Sequence, residues 1–260
     1  MKKIAPNLME RYGTYEIIEL GPGDHSKISI LLNATPESKQ KEIRYLPLDI
    51  SQSAIRNLAE SLVADFPRLH VEGYAVDFVS QFDPIQRDQP VMICFFGGTI
   101  GNFEWKESLE LLDNISRQMK KGDVLLLGMD LVKPEAILHA AYNDARGITE
   151  EFNKNILNSV NDLIKSDFRV SDFDHLAFFN KEKSRIEMHL IAREEVSVRS
   201  PHFSGVLQLK EGDTIHTENS HKYSQEHIRE MAEASGLNLL NTHTDEKGWF
   251  ALSEFRKAED

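Results

Sequence analysis

YEIIELGPGDHSKISILLNATPESKQKEIRYLPLDI, residues 15–49, decides the fold. An apolar stretch over 15–20 runs into a turn, Gly21-Pro22-Gly23-Asp24. A helix-like run follows, and then a second strand over 45–48 that ends on an acid, Asp49. Strand, glycine turn, helix and strand ending on a carboxylate make up the first β-α-β unit of a nucleotide-type site. The glycines let the main chain approach a ligand closely, and the acid can accept hydrogen bonds from ribose hydroxyls. An ordinary tight turn before a helix competes with this reading of the glycines, but it leaves the placement of Asp49 unexplained.

The third glycine of the dinucleotide fingerprint, counted from Gly21, is replaced by Ser26. Two glycines and a following acid suit an adenosyl cofactor without a pyrophosphate, such as S-adenosylmethionine (SAM), better than a nicotinamide dinucleotide. Strand and helix patterns alternate from about 15 to 145, which predicts a doubly wound, mostly parallel sheet. Helix 52–65 has a candidate N-cap in Ser51 and apolar residues at Ile55, Leu58, Leu62 and Val63. Strands are expected at 69–76, 91–96 and 124–129, with a helix at 105–119 and another opened by Pro134.

From 144 to about 168 the pattern is helical, without a partner strand. Two hairpins are expected next, 173–179 with 185–193 and 203–209 with 213–219. The predicted division is a core of 1–144 with 221–260 and an inserted α+β lobe of 145–220. Helix 224–235 and strands 237–244 and 248–254 close the sheet.

Ligands of open α/β sheets bind beyond the carboxyl ends of the strands. Four segments put glycine or polar residues there: the turn at Gly21 and Gly23, Asp49, the pair Asp77-Phe78, and GGTIGN at 97–102. A carboxylate next to an aromatic ring suits adenine, since one accepts from the exocyclic amine and the other stacks. A helix N-cap with a core phenylalanine is the plainer reading of that pair. Asn102 offers both a donor and an acceptor for an amino acid's amine or carboxylate, or it caps helix 105–119.

Composition narrows the classes. The net charge of −12 argues against a nucleic-acid backbone as ligand. The longest apolar runs are too short to span a bilayer, and the N-terminus has no apolar signal core. The lone cysteine, Cys94, forms no internal disulfide and fits a cytoplasmic chain. No H-x-x-x-H or C-x-x-C spacing marks a metal site, and no P-loop lysine or G-x-S-x-G elbow is present.

Three stretches carry a family resemblance: GGTIGNFE (97–104), LLLGMDLVKPEAILHAAYNDARGITEEFNKN (125–155) and RIEMHLIAR (185–193). With them the chain resembles the histidine N-alpha-methyltransferases of ergothioneine biosynthesis, from about residue 15 to the end. The resemblance implies a Rossmann-like SAM-dependent methyltransferase core, S-adenosylhomocysteine as co-product, and a substrate-binding lobe. It implies SAM contacts from Gly21 and Lys27, with Asp49 on the ribose and Asp77 with Phe78 on the adenine, and the glycine turns add Gly23 and Gly97 to the cofactor set. Asn102 and Tyr142 would grip the amino acid, Tyr142 also serving as proton relay. Met188, Glu218 and Ser220 would surround an imidazole, which makes the α-amino group of L-histidine the first choice of acceptor.

Relatives carry a longer N-terminal stretch whose aromatic groups line the acceptor pocket, whereas here only 14 residues precede the first strand. Either the pocket is more open, or a partner chain supplies that wall and the acceptor is another small amine. A SAM-binding regulatory module and a nicotinamide dehydrogenase remain the readings from other classes.

Overall fold

The computed structural model describes residues 1–79 and 89–258, which form two compact units: Met1–Leu131 with Tyr223–Asp260, and Val132–Lys222. The second unit begins at Val132 rather than 145. The helix Glu135–Tyr142 belongs to it because Leu138 joins a small core with Ala177, Ile186 and Met188.

The first unit is built on one sheet. Its strands are β1 (Glu16–Leu20), β2 (Arg44–Asp49), β3 (His70–Val71), β4 (Tyr74–Ala75), β5 (Val91–Phe95) and β6 (Val124–Asp130). Across the sheet the order is β6-β5-β1-β2-β3, with β4 also on β2, and all of these pairs are parallel. The chain departs from β1 in both directions, so the strand order reverses between β1 and β5. That is the switch point where the loops splay apart and leave room for a ligand. Both strands are buried almost throughout; β5 is a continuous apolar run, as a strand covered on both faces demands, while β1 is apolar apart from Glu16 and Glu19.

The expected strand 69–76 is split into the two short strands β3 and β4. Gly73 lies between them, where a Cβ would come within 2.3 Å of Ile55 Cγ2. The residue at this crossing therefore has to lack a side chain.

Helix α1 (Ala5–Tyr12), which the sequence reading did not assign, buries Leu8, Met9 and Tyr12. Helices α2 (Ser26–Asn33) and α3 (Glu37–Gln40) fill the first crossover. Helix α4 (Gln52–Asp65) starts where expected, with Ser51 Oγ accepting from Ala54 N at 3.2 Å. Helix α5 is Trp105–Gln118.

The second unit contributes α6 (Glu135–Tyr142) and α7 (Ile148–Ile164). Its strands are β7 (Phe173–Asn180), β8 (Arg185–Ala192), β9 (Val196–Val198), β10 (Leu207–Leu209) and β11 (Thr214–His221). The first expected hairpin is present as β7–β8. The second is not: β10 pairs with β9, and β11 crosses back to pair with β8, giving the order β11-β8-β7. Ile215 packs with Leu190 against Phe173 and Val196, contacts that a local hairpin with 203–209 would forgo.

The chain then returns to the first unit through α8 (Gln225–Ala234), β12 (Leu237–Thr244) and β13 (Phe250–Lys257). β13 runs antiparallel to β6, and β12 antiparallel to β13. Among the described residues no helix is long and apolar enough to cross a membrane.

Candidate active site

The carboxyl ends of β1, β2 and β5 carry the predicted cofactor residues of the first unit. Gly21 and Gly23 adopt φ of +56° and +63°, and Gly97 and Gly98 lie at +81° and +79°, all in the left-handed region that side chains disfavour. A Cβ on Gly21 would stand 3.6 Å from the Phe78 ring, and one on Gly97 3.5 Å from Lys27 Cε. Gly21 and Phe78 are thus brought together, and so are Gly97 and Lys27, though each pair is far apart in sequence.

Asp49 ends β2. Its Oδ1 accepts from Ser51 N at 2.9 Å, while Oδ2 has no hydrogen bond among the described residues and can accept from a ribose hydroxyl. Asp77 is exposed, and its Oδ1 accepts from Val79 N at 3.1 Å. Phe78 is buried, edge-on to Phe95 with ring centroids 5.8 Å apart.

Lys27 and Gly97 also line a cavity of about 640 Å³, walled by apolar residues such as Phe96 and Phe250 and by charged ones such as Lys3 and Glu246, whereas Gly21, Asp49 and Phe78 do not line it. These features fit an adenosyl-bearing ligand: bare main chain at two glycine turns, a carboxylate at the end of β2 and a cation at the start of α2.

Asn102 closes a 3-10 turn, Thr99–Asn102, and is exposed. It does not cap the next helix. That position belongs to Glu104, whose N–H donates to Glu107 Oε2 at 2.8 Å. Beneath the turn, Tyr223 Oη donates to Ile100 O at 3.1 Å, and Tyr223 N donates to Asp130 O at 2.8 Å. Burial raises the Tyr223 phenol well above its ordinary range, so it stays a donor.

The sequence reading missed Tyr223, and it missed Glu19. Glu19 lies within β1, fully buried, with Oε2 accepting from Tyr45 Oη at 2.6 Å and Oε1 without a partner among the described residues. Burial pushes its carboxyl up to about 8, against the pull of Tyr45 and Lys27. An acid inside an otherwise apolar strand, two residues before Gly21, was the available signal.

In the second unit the structure places Met188, Glu218 and Ser220 on one face of the β11-β8-β7 sheet with Tyr142 bonded to Ser220, whereas Asn102 of the predicted acceptor set belongs to the first unit. Met188 and Glu218 are cross-strand partners, and Ser220 follows two residues along β11 on the same side. Tyr142 Oη, at the end of α6, donates to Ser220 Oγ at 2.8 Å. Burial raises the Glu218 carboxyl, and the nearby Lys222 opposes that shift.

Lys222, a residue the sequence reading did not single out, is itself buried. It donates to Tyr142 Oη at 3.0 Å and to Ser220 Oγ at 2.6 Å. Continuing the alternation of residues 218 and 220 by two points to it.

On the opposite face Glu187, His189 and His216 bring their ligand atoms within 4.8 Å of one another, a grouping hidden from sequence spacing because it crosses strands. The two imidazoles are stacked at 4.6 Å and 16°, so their in-plane lone pairs do not converge, and Glu187 is paired to Arg185 at 2.9 Å. The group is a polar stack rather than a metal centre.

Known proteins resemble this chain over most of its length. The family described as "Histidine-specific methyltransferase, SAM-dependent" matches residues 1–257. The histidine N-alpha-methyltransferase of Mycolicibacterium smegmatis is 34% identical over 242 residues, covering 93% of this chain and 75% of the relative. Ergothioneine biosynthesis protein 1 of Schizosaccharomyces pombe is 26% identical over 87% of this chain, which spans only 30% of that longer protein. Among solved structures, a SAM-dependent methyltransferase from Clostridium acetobutylicum superposes with a TM-score of 0.56 at 10% identity, over 99% of this chain and 92% of the other. That likeness establishes the fold.

Proposed function

This chain belongs to the histidine-specific, SAM-dependent methyltransferase family, and from that premise we propose that it methylates the α-amino nitrogen of L-histidine, the acceptor named for its relatives. It is a SAM-dependent methyltransferase with a Rossmann-like core. The observation that carries the acceptor assignment is the side-by-side placement of Met188, Glu218 and Ser220, with Tyr142 bonded to Ser220, on one face of the lobe sheet. A neutral imidazole has one donor and one acceptor nitrogen. The Glu218 carboxylate accepts from the first, the Ser220 hydroxyl gives to the second, and Met188 supplies soft apolar contact.

SAM, when bound, supplies a methyl carbon already activated by its sulfonium. We assign its ribose to Asp49, its adenine to Asp77 and Phe78, and its remaining contacts to Gly21, Gly23, Lys27 and Gly97. The protein's own task is to present the amine unprotonated and in line, and positioning of this kind contributes several kcal/mol. The Asn102 amide is assigned to the acceptor's carboxylate and amine. Tyr142 Oη donates to Ser220 and accepts from Lys222, and we assign its second lone pair to accept a hydrogen bond from the substrate's amino group, orienting the nitrogen. The buried, unpaired thiol of Cys94 is in keeping with the cytoplasmic location we assign.

The test is incubation of the purified chain with SAM and a panel of amino acids, read by mass spectrometry. Methylated histidine with matching S-adenosylhomocysteine is expected. Silence toward histidine, with turnover of another amine only after a partner protein is added, would replace this reading by that of a dependent subunit.

A further inference from the structure

Lys222 is 1% exposed, a burial that an ammonium tolerates only when its donors are used. Two of its N–H groups point to Ser220 Oγ at 2.6 Å and Tyr142 Oη at 3.0 Å, and the Tyr142 hydroxyl donates to the same Ser220 oxygen at 2.8 Å. An ammonium has donors only, so both hydroxyl oxygens must accept from it. A phenol is the better donor of the two hydroxyls, which sets the Tyr142-to-Ser220 direction. Ser220 Oγ therefore receives two hydrogens and has both lone pairs occupied. Its remaining capacity is its own O–H, which can only donate.

We propose that Lys222 is a positioning residue that fixes Ser220 as an obligate donor and thereby makes the pocket select the neutral imidazole. This rests on the reading that histidine is the acceptor with its ring at Glu218 and Ser220. Glu218, when ionised, is acceptor-only, so the pair presents one acceptor and one donor along a single strand face. A neutral imidazole matches both. An imidazolium, with two donors, meets the Ser220 donor head-on. A ring with CH in place of the acceptor nitrogen leaves the Ser220 hydrogen unpaired, because Lys222 and Tyr142 prevent the hydroxyl from turning inward.

The experiment compares kcat/KM for histidine and for a pyrrolylalanine in which CH replaces the unprotonated ring nitrogen. It uses the wild type, Lys222→Met, and Lys222→Gln, whose amide retains two N–H donors. Circular dichroism checks the fold of each. The wild type should prefer histidine by about 100-fold or more, as sites built around a ring hydrogen bond do. Lys222→Met should lose at least about tenfold of that preference, because the hydroxyl is then free to turn, and Lys222→Gln should restore most of it.

A Lys222→Met variant that slows both substrates equally, at wild-type preference, reveals a merely structural lysine and overturns the proposal. So does a wild type that uses both substrates equally well, a result that needs no variant to fold. A wild type that binds SAM but turns over no histidine removes the acceptor reading, and the inference with it.

Discussion

Met188 and Glu218 stand opposite each other on β8 and β11 of the lobe sheet, a buried thioether directly across from a partly buried carboxylate. The pairing exists because β11 bypasses its sequence neighbours to join β8, and a bulge between His216 and Glu218 sets the register that follows. Without that bulge, Glu218 and Ser220 would face the other side of the sheet.

Glu218→Gln keeps the shape and one acceptor oxygen but loses the charge. Hydrogen bonds to charged groups contribute about 1.5–3 kcal/mol, so kcat/KM for histidine should fall roughly 10- to 100-fold, mainly through KM. The affinity for SAM should be unchanged. Steady-state kinetics with each substrate varied in turn checks both statements, and a loss confined to kcat would contradict them.

Much of the core was legible from residue pattern. The Ser51 cap, the helix after it and the apolar runs of β5 and β6 are local features, and local propensity agreed with the fold. The lobe was less legible because its decisive pairing is non-local. Leu207 and Leu209 satisfy β9, and only side-chain packing in three dimensions sends 214–221 to β8 instead. Helix α1 went unassigned since its eight residues carry little periodic signal, even though Pro6 in its first turn marked a helix start. Glu19, Lys222 and Tyr223 were missed for a common reason. Each is polar at a position where the chain is buried, and burial is a property of the fold rather than of the sequence.

Asp49→Ala should weaken SAM and S-adenosylhomocysteine binding by about 10- to 100-fold, the effect of losing charge-assisted bonds to ribose hydroxyls. The Asp49 carboxylate also holds Ser51 N at the start of α4, so a small loss of apo-protein stability should accompany it. Calorimetric titration separates the two effects. An unchanged cofactor affinity would move the ribose elsewhere.

Tyr223→Phe removes the hydroxyl that fastens Ile100 O under the glycine turn, although Ser108 Oγ still reaches that carbonyl at 3.4 Å. A buried neutral hydrogen bond is worth about 1 kcal/mol net, or roughly 2–4 °C in Tm for a chain of this size. Because the turn carries Asn102, kcat should fall more than the affinity for SAM. Thermal denaturation and single-turnover methylation report the two effects independently.

Glu19 makes stability depend on pH in an unusual direction for a carboxyl group. Its folded-state value of about 8 lies above the ordinary 4.5, so the folded chain keeps a proton that the unfolded chain has already released. The stabilisation is complete below about 4.5 and fades as pH rises, by roughly a kcal/mol per unit, until the folded carboxyl ionises near 8. Glu19→Gln is neutral throughout, fills the same space and can still accept from Tyr45 Oη. The Tm of Glu19→Gln relative to wild type should therefore climb between about pH 5 and 8 and level off above that range. A difference that stays flat across the window would mean that Glu19 is ionised in the folded protein, with the buried charge balanced by Lys27 at the start of α2 instead of removed by protonation.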